Sequence, residues 1–98
     1  MWVFGMSETN AVDVCGFDII FDTDESGTPV SYTVVGYGFG FQLPLATVPL
    51  AGQAKALLRD MVYQMKDGLP FYDVNKELQT NRLKQVFAEQ IKNQQQGG

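Results

Sequence analysis

The stretch "FDTDESGTPVSY" carries oxygen-bearing side chains at the spacing that a calcium-binding loop uses for its first ligands. Asp22 and Asp24 would take loop positions one and three, and Gly27 would take position six. The bidentate glutamate required at position twelve is replaced by Thr33. Asp and Ser side chains that bind their own backbone, together with a glycine that supplies positive φ, are typical of a turn between strands. We therefore predict a hairpin turn here and no metal site.

The stretch "GYGFGF", residues 36–41, alternates glycine with Tyr37, Phe39 and Phe41. In a strand the glycines share one face, which another backbone or a helix can approach closely. The aromatic side chains share the other face, and they either pack against the first helix or contact another protein. Stacking on nucleic-acid bases would also require a positive groove, but no Lys or Arg precedes Lys55. Direct nucleic-acid binding is therefore not predicted.

Residue types that usually carry catalysis are scarce in this chain. It contains no histidine, which removes the usual general base and the commonest zinc ligand. Asp18 and Asp22 share one strand face, where they are typical of a solvated edge. Cys15 is the only cysteine, so no disulfide can form within the chain, and a reducing compartment is favoured. We expect a cytoplasmic, non-enzymatic protein without a cofactor.

Charge is unevenly distributed along the 98 residues, whose net charge is −4. Residues 1–54 hold six acidic residues and no basic one, whereas all seven basic residues lie from Lys55 onward. Such asymmetry favours contacts between subunits or with a charged partner. No apolar run approaches the roughly 20 residues of a membrane span, so no membrane partner is predicted.

Two strands are predicted in the first half of the chain. Residues 12–22 are rich in Val, Ile and Phe, but the alternation changes phase, which predicts a β-bulge at Gly16. Residues 30–43 alternate in the same way over a length of about 46 Å, which is long for so small a domain. We expect this second strand to bend or break within the glycine-rich stretch 36–40.

Helices are predicted in the second half, over residues 49–67, 73–79 and 80–95. Apolar residues recur at three- and four-residue spacing in the first of these helices. The last two segments form either two helices, with Thr80 as a cap, or one helix that touches two surfaces. The predicted fold is α+β: an antiparallel hairpin or three-stranded sheet within residues 12–43, followed by two or three helices.

The whole chain, residues 1–98, is predicted to be a single domain because of its size. Residues 1–5 precede a conventional polar start at Met6, and we interpret them as an extended start or a non-native remnant. They are assigned to no predicted element, and packing of Trp2 and Phe4 against the fold is left open. The opening lacks the features of a signal peptide. The Gln- and Gly-rich end, residues 94–98, is expected to fray.

Counting apolar faces leads to a functional hypothesis. Both predicted strands carry apolar side chains on both sides, whereas the first helix covers only one side. We expect the remaining apolar surface to be buried against another copy or another protein, as in a phage- or plasmid-borne inhibitor or accessory factor. The alternatives are a small-molecule pocket, placed between the Gly/aromatic strand and the first helix or at a subunit interface, and, ranked last, mimicry of nucleic acid by the acidic half. The candidate interface residues are Tyr37, Phe39, Phe41, Leu83, Phe87 and Ile91.

Overall fold

The computed structural model describes residues 1–7 and 11–96, and for residues 93–96 it describes the backbone alone. These residues form an α+β fold, as predicted, in which two three-stranded sheets pack with three helices. The strands are β1 (Trp2–Phe4), β2 (Ala11–Asp13), β3 (Gly16–Thr23), β4 (Pro29–Gly38), β5 (Phe41–Val48) and β6 (Phe71–Asp73); the helices are α1 (Ala51–Lys66), α2 (Val74–Leu78) and α3 (Asn81–Gln96).

The larger sheet is antiparallel and has the strand order β3-β4-β5. Its first hairpin turns at Asp24, whose Oδ1 accepts hydrogen bonds from the backbone N–H groups of Ser26 at 2.9 Å and Thr28 at 3.0 Å. The Ser26 hydroxyl donates to the same oxygen at 2.6 Å, and Gly27 adopts a φ of 85°. The hairpin turn predicted from this stretch is therefore confirmed.

The second predicted strand breaks in two within its glycine-rich stretch, as expected. β4 ends at Gly38 and β5 begins at Phe41, with Gly40 at a φ of 75° in the connection. β5 continues to Val48, beyond the predicted end at residue 43. A change of register between Val34 and Val35 leaves Leu45 as an extra residue in β5, so this strand bends toward the core.

A second, smaller sheet with the order β2-β1-β6 was missed by the sequence analysis. The bulge predicted at Gly16 is wrong: the chain leaves β2 at Asp13 and enters the larger sheet at Gly16, so the phase change marks a switch between sheets. Residues 1–5, which were not assigned to any predicted element, contain part of the smaller sheet. Trp2–Phe4 is the central strand of the smaller sheet, and the Val3 side chain is fully buried.

The helices begin and end close to their predicted bounds. Leu50 is the N-cap of α1, so Pro49 precedes the helix rather than lying in its first turn. Asp73 caps α2 by accepting a hydrogen bond from the N–H of Lys76 at 3.3 Å. Two separate helices follow β6, as one of the two alternatives predicted, and the Thr80 hydroxyl donates to the Glu77 carbonyl at 2.6 Å. The end that was expected to fray, residues 94–98, is helical to Gln96; residues 97 and 98 lie outside the described part.

One buried cluster joins both sheets to all three helices. β1 and β6 contribute one inward side chain each, and α1 contributes an apolar stripe at helical spacing. The cluster consists of Val3, Val14, Val34, Leu45, Ala46, Val48, Ala54, Leu57, Met61, Tyr72, Val74 and Leu83.

Candidate interaction surface

Five aromatic side chains from both sheets form a partly exposed surface, which we call the aromatic patch: Trp2, Phe4, Phe39, Phe41 and Phe71. Val3 points into the core, so the alternation of β1 turns Trp2 and Phe4 outward. Phe71 is the β6 partner of Trp2, and its ring meets that of Phe4 edge-on at 4.7 Å between centroids. The smaller sheet therefore contributes three of the five rings.

The β4–β5 hairpin contributes the other two rings. Phe39 lies in the hairpin connection and is 101% exposed, so its side chain does not pack against the core of its own chain. Phe39, Phe41 and Trp2 line an open groove of about 370 Å³, with Asp13 as its only charged lining residue. Aromatic rings around a groove with a single charged residue are typical of a protein–protein contact.

The aromatic residues of "GYGFGF" occupy different surroundings in the structure. The Phe41 ring lies where a side chain on Gly38 would be, within 2.0 Å of an ideal Cβ. Tyr37 is on the face away from α1, and its hydroxyl donates to Asp18 Oδ2 at 3.2 Å. The three rings thus point in three directions, and the prediction that they share one face is wrong because the chain turns at Phe39 and Gly40.

The three interface candidates on α3 differ in how far their side chains are exposed. Leu83 is 3% exposed and belongs to the core, so it has no surface to offer a partner. Phe87 is half-buried against the same core, and Ile91 is 46% exposed. We therefore leave Leu83 out of the proposed contact surface and retain the exposed Ile91 as a peripheral candidate.

The outer face of the larger sheet, which was predicted to be apolar, carries several polar side chains. The hydroxyl groups of Thr33 and Thr47 are hydrogen-bonded across β4 and β5 at 2.9 Å. Asp18 accepts the Tyr37 hydroxyl on the same face, and Ile20 is the large apolar residue left exposed there. Four of the exposed large apolar residues belong to the aromatic patch. The others are spread over the surface at Ile20, Phe21, Val30, Val62, Tyr63 and Ile91.

A polar network missed by the sequence analysis lies at the junction of α1, β6 and the last two helices. Asp60 accepts hydrogen bonds from the Tyr72 hydroxyl at 2.5 Å and from Arg82 Nε and Nη2, both at 2.8 Å. Arg82 also donates to Glu77. The spacing of these residues in the sequence could not predict the network, because they come from four different elements.

The network shifts the pKa values of three of its members. Burial opposes ionisation of Asp60, but the bonds from Arg82 and Tyr72 outweigh it and lower the pKa of the carboxyl. Burial and the bond to Asp60 raise the pKa of Tyr72 well above its ordinary range. The hydrogen bond to Asp60 likewise raises the pKa of Arg82, so the charged pair is held together at neutral pH.

An open groove of about 270 Å³ runs between α1 and α3 beside this network. Its polar groups are Arg59, Asp60, Tyr63 and Arg82, of which Asp60 and Arg82 already bind each other. No nucleophile–base pair lines it, and the described residues contain no cluster of three metal-ligating side chains. The arrangement ties elements together and offers no recognisable reaction.

Comparison of the chain with protein-family models, with curated proteins and with solved structures found no match. Within residues 1–7 and 11–96, no helix is both long and apolar enough to cross a membrane. The function is therefore argued from the geometry of the aromatic patch and its surroundings.

Proposed function

We propose that this chain is a small non-enzymatic protein-interaction module that self-associates through the aromatic patch and acts as an inhibitor or accessory factor on a macromolecular partner. The observation that carries the proposal is Phe39, which is 101% exposed at the end of a hairpin and beside the exposed Trp2. Full exposure of a phenylalanine forfeits its burial energy, about 1.5–3 kcal/mol, unless another molecule covers it.

The composition of the patch favours a second copy as the molecule that covers it. Its five rings carry no charge, and Asp13 is the one charged residue in its groove. Two copies with a net charge of −4 each can meet here because like charges beyond about 8 Å are screened at physiological salt. A two-fold contact would place each Phe39 in the groove of the other copy, as a self-complementary interface requires.

Sedimentation velocity of the wild type and of Phe39→Asp tests this proposal. We expect a concentration-dependent dimer for the wild type and at least a roughly 30-fold weaker dimer for the variant, because central aromatic contacts contribute about 2 kcal/mol or more. Tyr63→Asp is the matched control, since Tyr63 is an exposed aromatic residue on α1 outside the patch. A wild type that stays monomeric at high micromolar concentration would overturn the proposal.

Small-molecule binding is the second candidate, and the groove beside Phe39 is the observation that favours it. Its volume, about 370 Å³, falls at the lower end of ligand pockets. The groove lies between the hairpin and the smaller sheet, rather than between the Gly/aromatic strand and α1 as expected from the sequence. Native mass spectrometry after gentle purification tests this candidate: a retained mass that disappears in Phe41→Ala would support it, and a bare chain would count against it.

A further inference from the structure

The outer edge of β3 is a second candidate binding surface, and it contains none of the five residues of the aromatic patch. β3 is the first strand in the order β3-β4-β5, so among the described residues its backbone is paired on one side only. The strand has eight residues, about 26 Å of edge. From Ile20 to Thr23 every residue is exposed, including Phe21 at 60%.

Several of the devices that usually protect an edge strand are missing from β3. Edge strands are commonly blocked by charged side chains, especially lysine, by proline or by a bulge in the exposed part. β3 contains neither lysine nor proline, and its one irregularity lies at its end, between Asp22 and Thr23. Its charged residues are Asp18 and Asp22, which block the edge only to strands of like charge; Asp18 Oδ1 accepts the Ile19 N–H at 2.8 Å. An edge that is open to a basic strand and also carries exposed Ile20 and Phe21 is suited to accept one.

The charges along this edge decide which strand it accepts. Asp18 and Asp22 lie on the outer face of the sheet, and Asp24 and Glu25 follow in the turn. Within the described residues, no Lys or Arg forms a salt bridge with any of these four carboxylates. A second copy of β3 would bring the same negative charges, which are unfavourable opposite one another. A strand with basic residues on the same face would be complementary.

We propose that β3 binds an extended, basic segment of a partner protein by strand addition. Lys or Arg at alternate positions of that segment pairs with Asp18 and Asp22 on the outer face. The intervening apolar side chains extend the face formed by Phe17, Ile19 and Phe21. Backbone hydrogen bonds supply the affinity, and the alternation supplies the specificity. The inference does not depend on self-association, because a monomer presents the same edge.

Fluorescence anisotropy with synthetic seven-residue peptides tests the strand addition. The probe alternates lysine and valine, and a control peptide of the same composition groups the lysines at one end. We expect the alternating peptide to bind at least about tenfold more tightly, since cross-strand pairs contribute up to roughly 1 kcal/mol each. N-methylation of alternate residues in the probe, which removes backbone donors from one side, should abolish binding for one of the two methylation phases.

A charge exchange assigns the contact to β3. Asp22→Lys should weaken binding of the lysine–valine peptide by about tenfold or more. The same variant should bind a glutamate–valine peptide, which the wild type should not bind. Glu25→Lys is the matched control, because it makes the same change of charge in the turn, outside the strand. Circular dichroism checks that both variants are folded. Equal binding of the grouped-lysine peptide, equal effects of the two variants, or no binding of the probe at millimolar concentration would each overturn the proposal.

Discussion

The ring of Phe41 lies over the backbone of Gly38, so close that a methyl group on Gly38 would stand 2.0 Å from Phe41 Cζ. The two residues are cross-strand partners at the end of the β4–β5 hairpin. An aromatic ring that covers a glycine on the neighbouring strand shields its backbone and fixes the register. This pair holds one wall of the aromatic patch in place, and Phe39 projects from the connection between the two residues.

Gly38→Ala should therefore displace the Phe41 ring and lower stability. We expect a loss of about 1–3 kcal/mol in the free energy of unfolding, as for an overpacked site, measured by urea denaturation. The loss should shrink in a Phe41→Ala background, because the methyl group then has space. Gly16→Ala is the control, since its Cβ would meet only the Tyr37 ring, at an ordinary 4.0 Å. Equal losses for Gly38→Ala in both backgrounds would contradict the assigned contact.

The single tryptophan provides a direct report on the aromatic patch. Trp2 is 51% exposed and lines the groove beside Phe39. If a second copy covers the groove, Trp2 emission should shift to shorter wavelength as protein concentration rises, because the indole leaves water. Phe39→Asp should keep the emission of the dilute protein at all concentrations. A wild-type spectrum that does not change over the same range would place Trp2 outside the contact.

Local patterns in the sequence predicted the elements that depend on local chemistry. The turn at Asp24, the break before Gly40 and the stripe of α1 all follow from residue types within a few positions of one another. The smaller sheet could not be predicted in this way, because β1 pairs with strands nine and about seventy residues further along the chain. Three-residue strands carry too little alternation to be recognised.

The candidate surface was predicted only in part for the same reason. Phe39 and Phe41 were identified from their spacing, but Trp2 and Phe71 join them only through the pairing of β1 with β6. Leu83 was selected for its apolar character, which sequence alone cannot divide between core and surface. The exposed edge of β3 also became visible only once the strand order was known.

The turn at Asp24 should depend on the acceptor oxygen more than on its charge. Asp24→Ala removes the acceptor for Ser26 and Thr28, so the thermal unfolding midpoint should fall. Asp24→Asn retains an acceptor oxygen, so its thermal unfolding midpoint should fall less. The bonds from the Ser26 hydroxyl and the Thr28 backbone lower the pKa of Asp24, so the smaller, charge-dependent part of its contribution is present above the ordinary value of 3.8 and is lost as pH falls below it. Equal midpoints for the two variants would contradict this account.

The network around Asp60 should make stability depend on pH in the acid range. Asp60→Asn removes the negative partner of Arg82 and should cost roughly 1.5–3 kcal/mol at neutral pH, the range for hydrogen bonds to a charged group. Since Arg82 and Tyr72 lower the pKa of Asp60, the wild type keeps this advantage above 3.8 and loses it as pH falls through the lower pKa of the folded state.

Urea denaturation of both proteins at neutral pH and below the ordinary aspartate pKa measures the difference. The two free energies should converge in acid, because protonated Asp60 and asparagine are then both uncharged. Asp67→Asn is the control on the same helix, at its exposed end, and should change stability by less than about 0.5 kcal/mol. A cost for Asp60→Asn that stays constant with pH would mean that shape, rather than charge, holds α1 to α3.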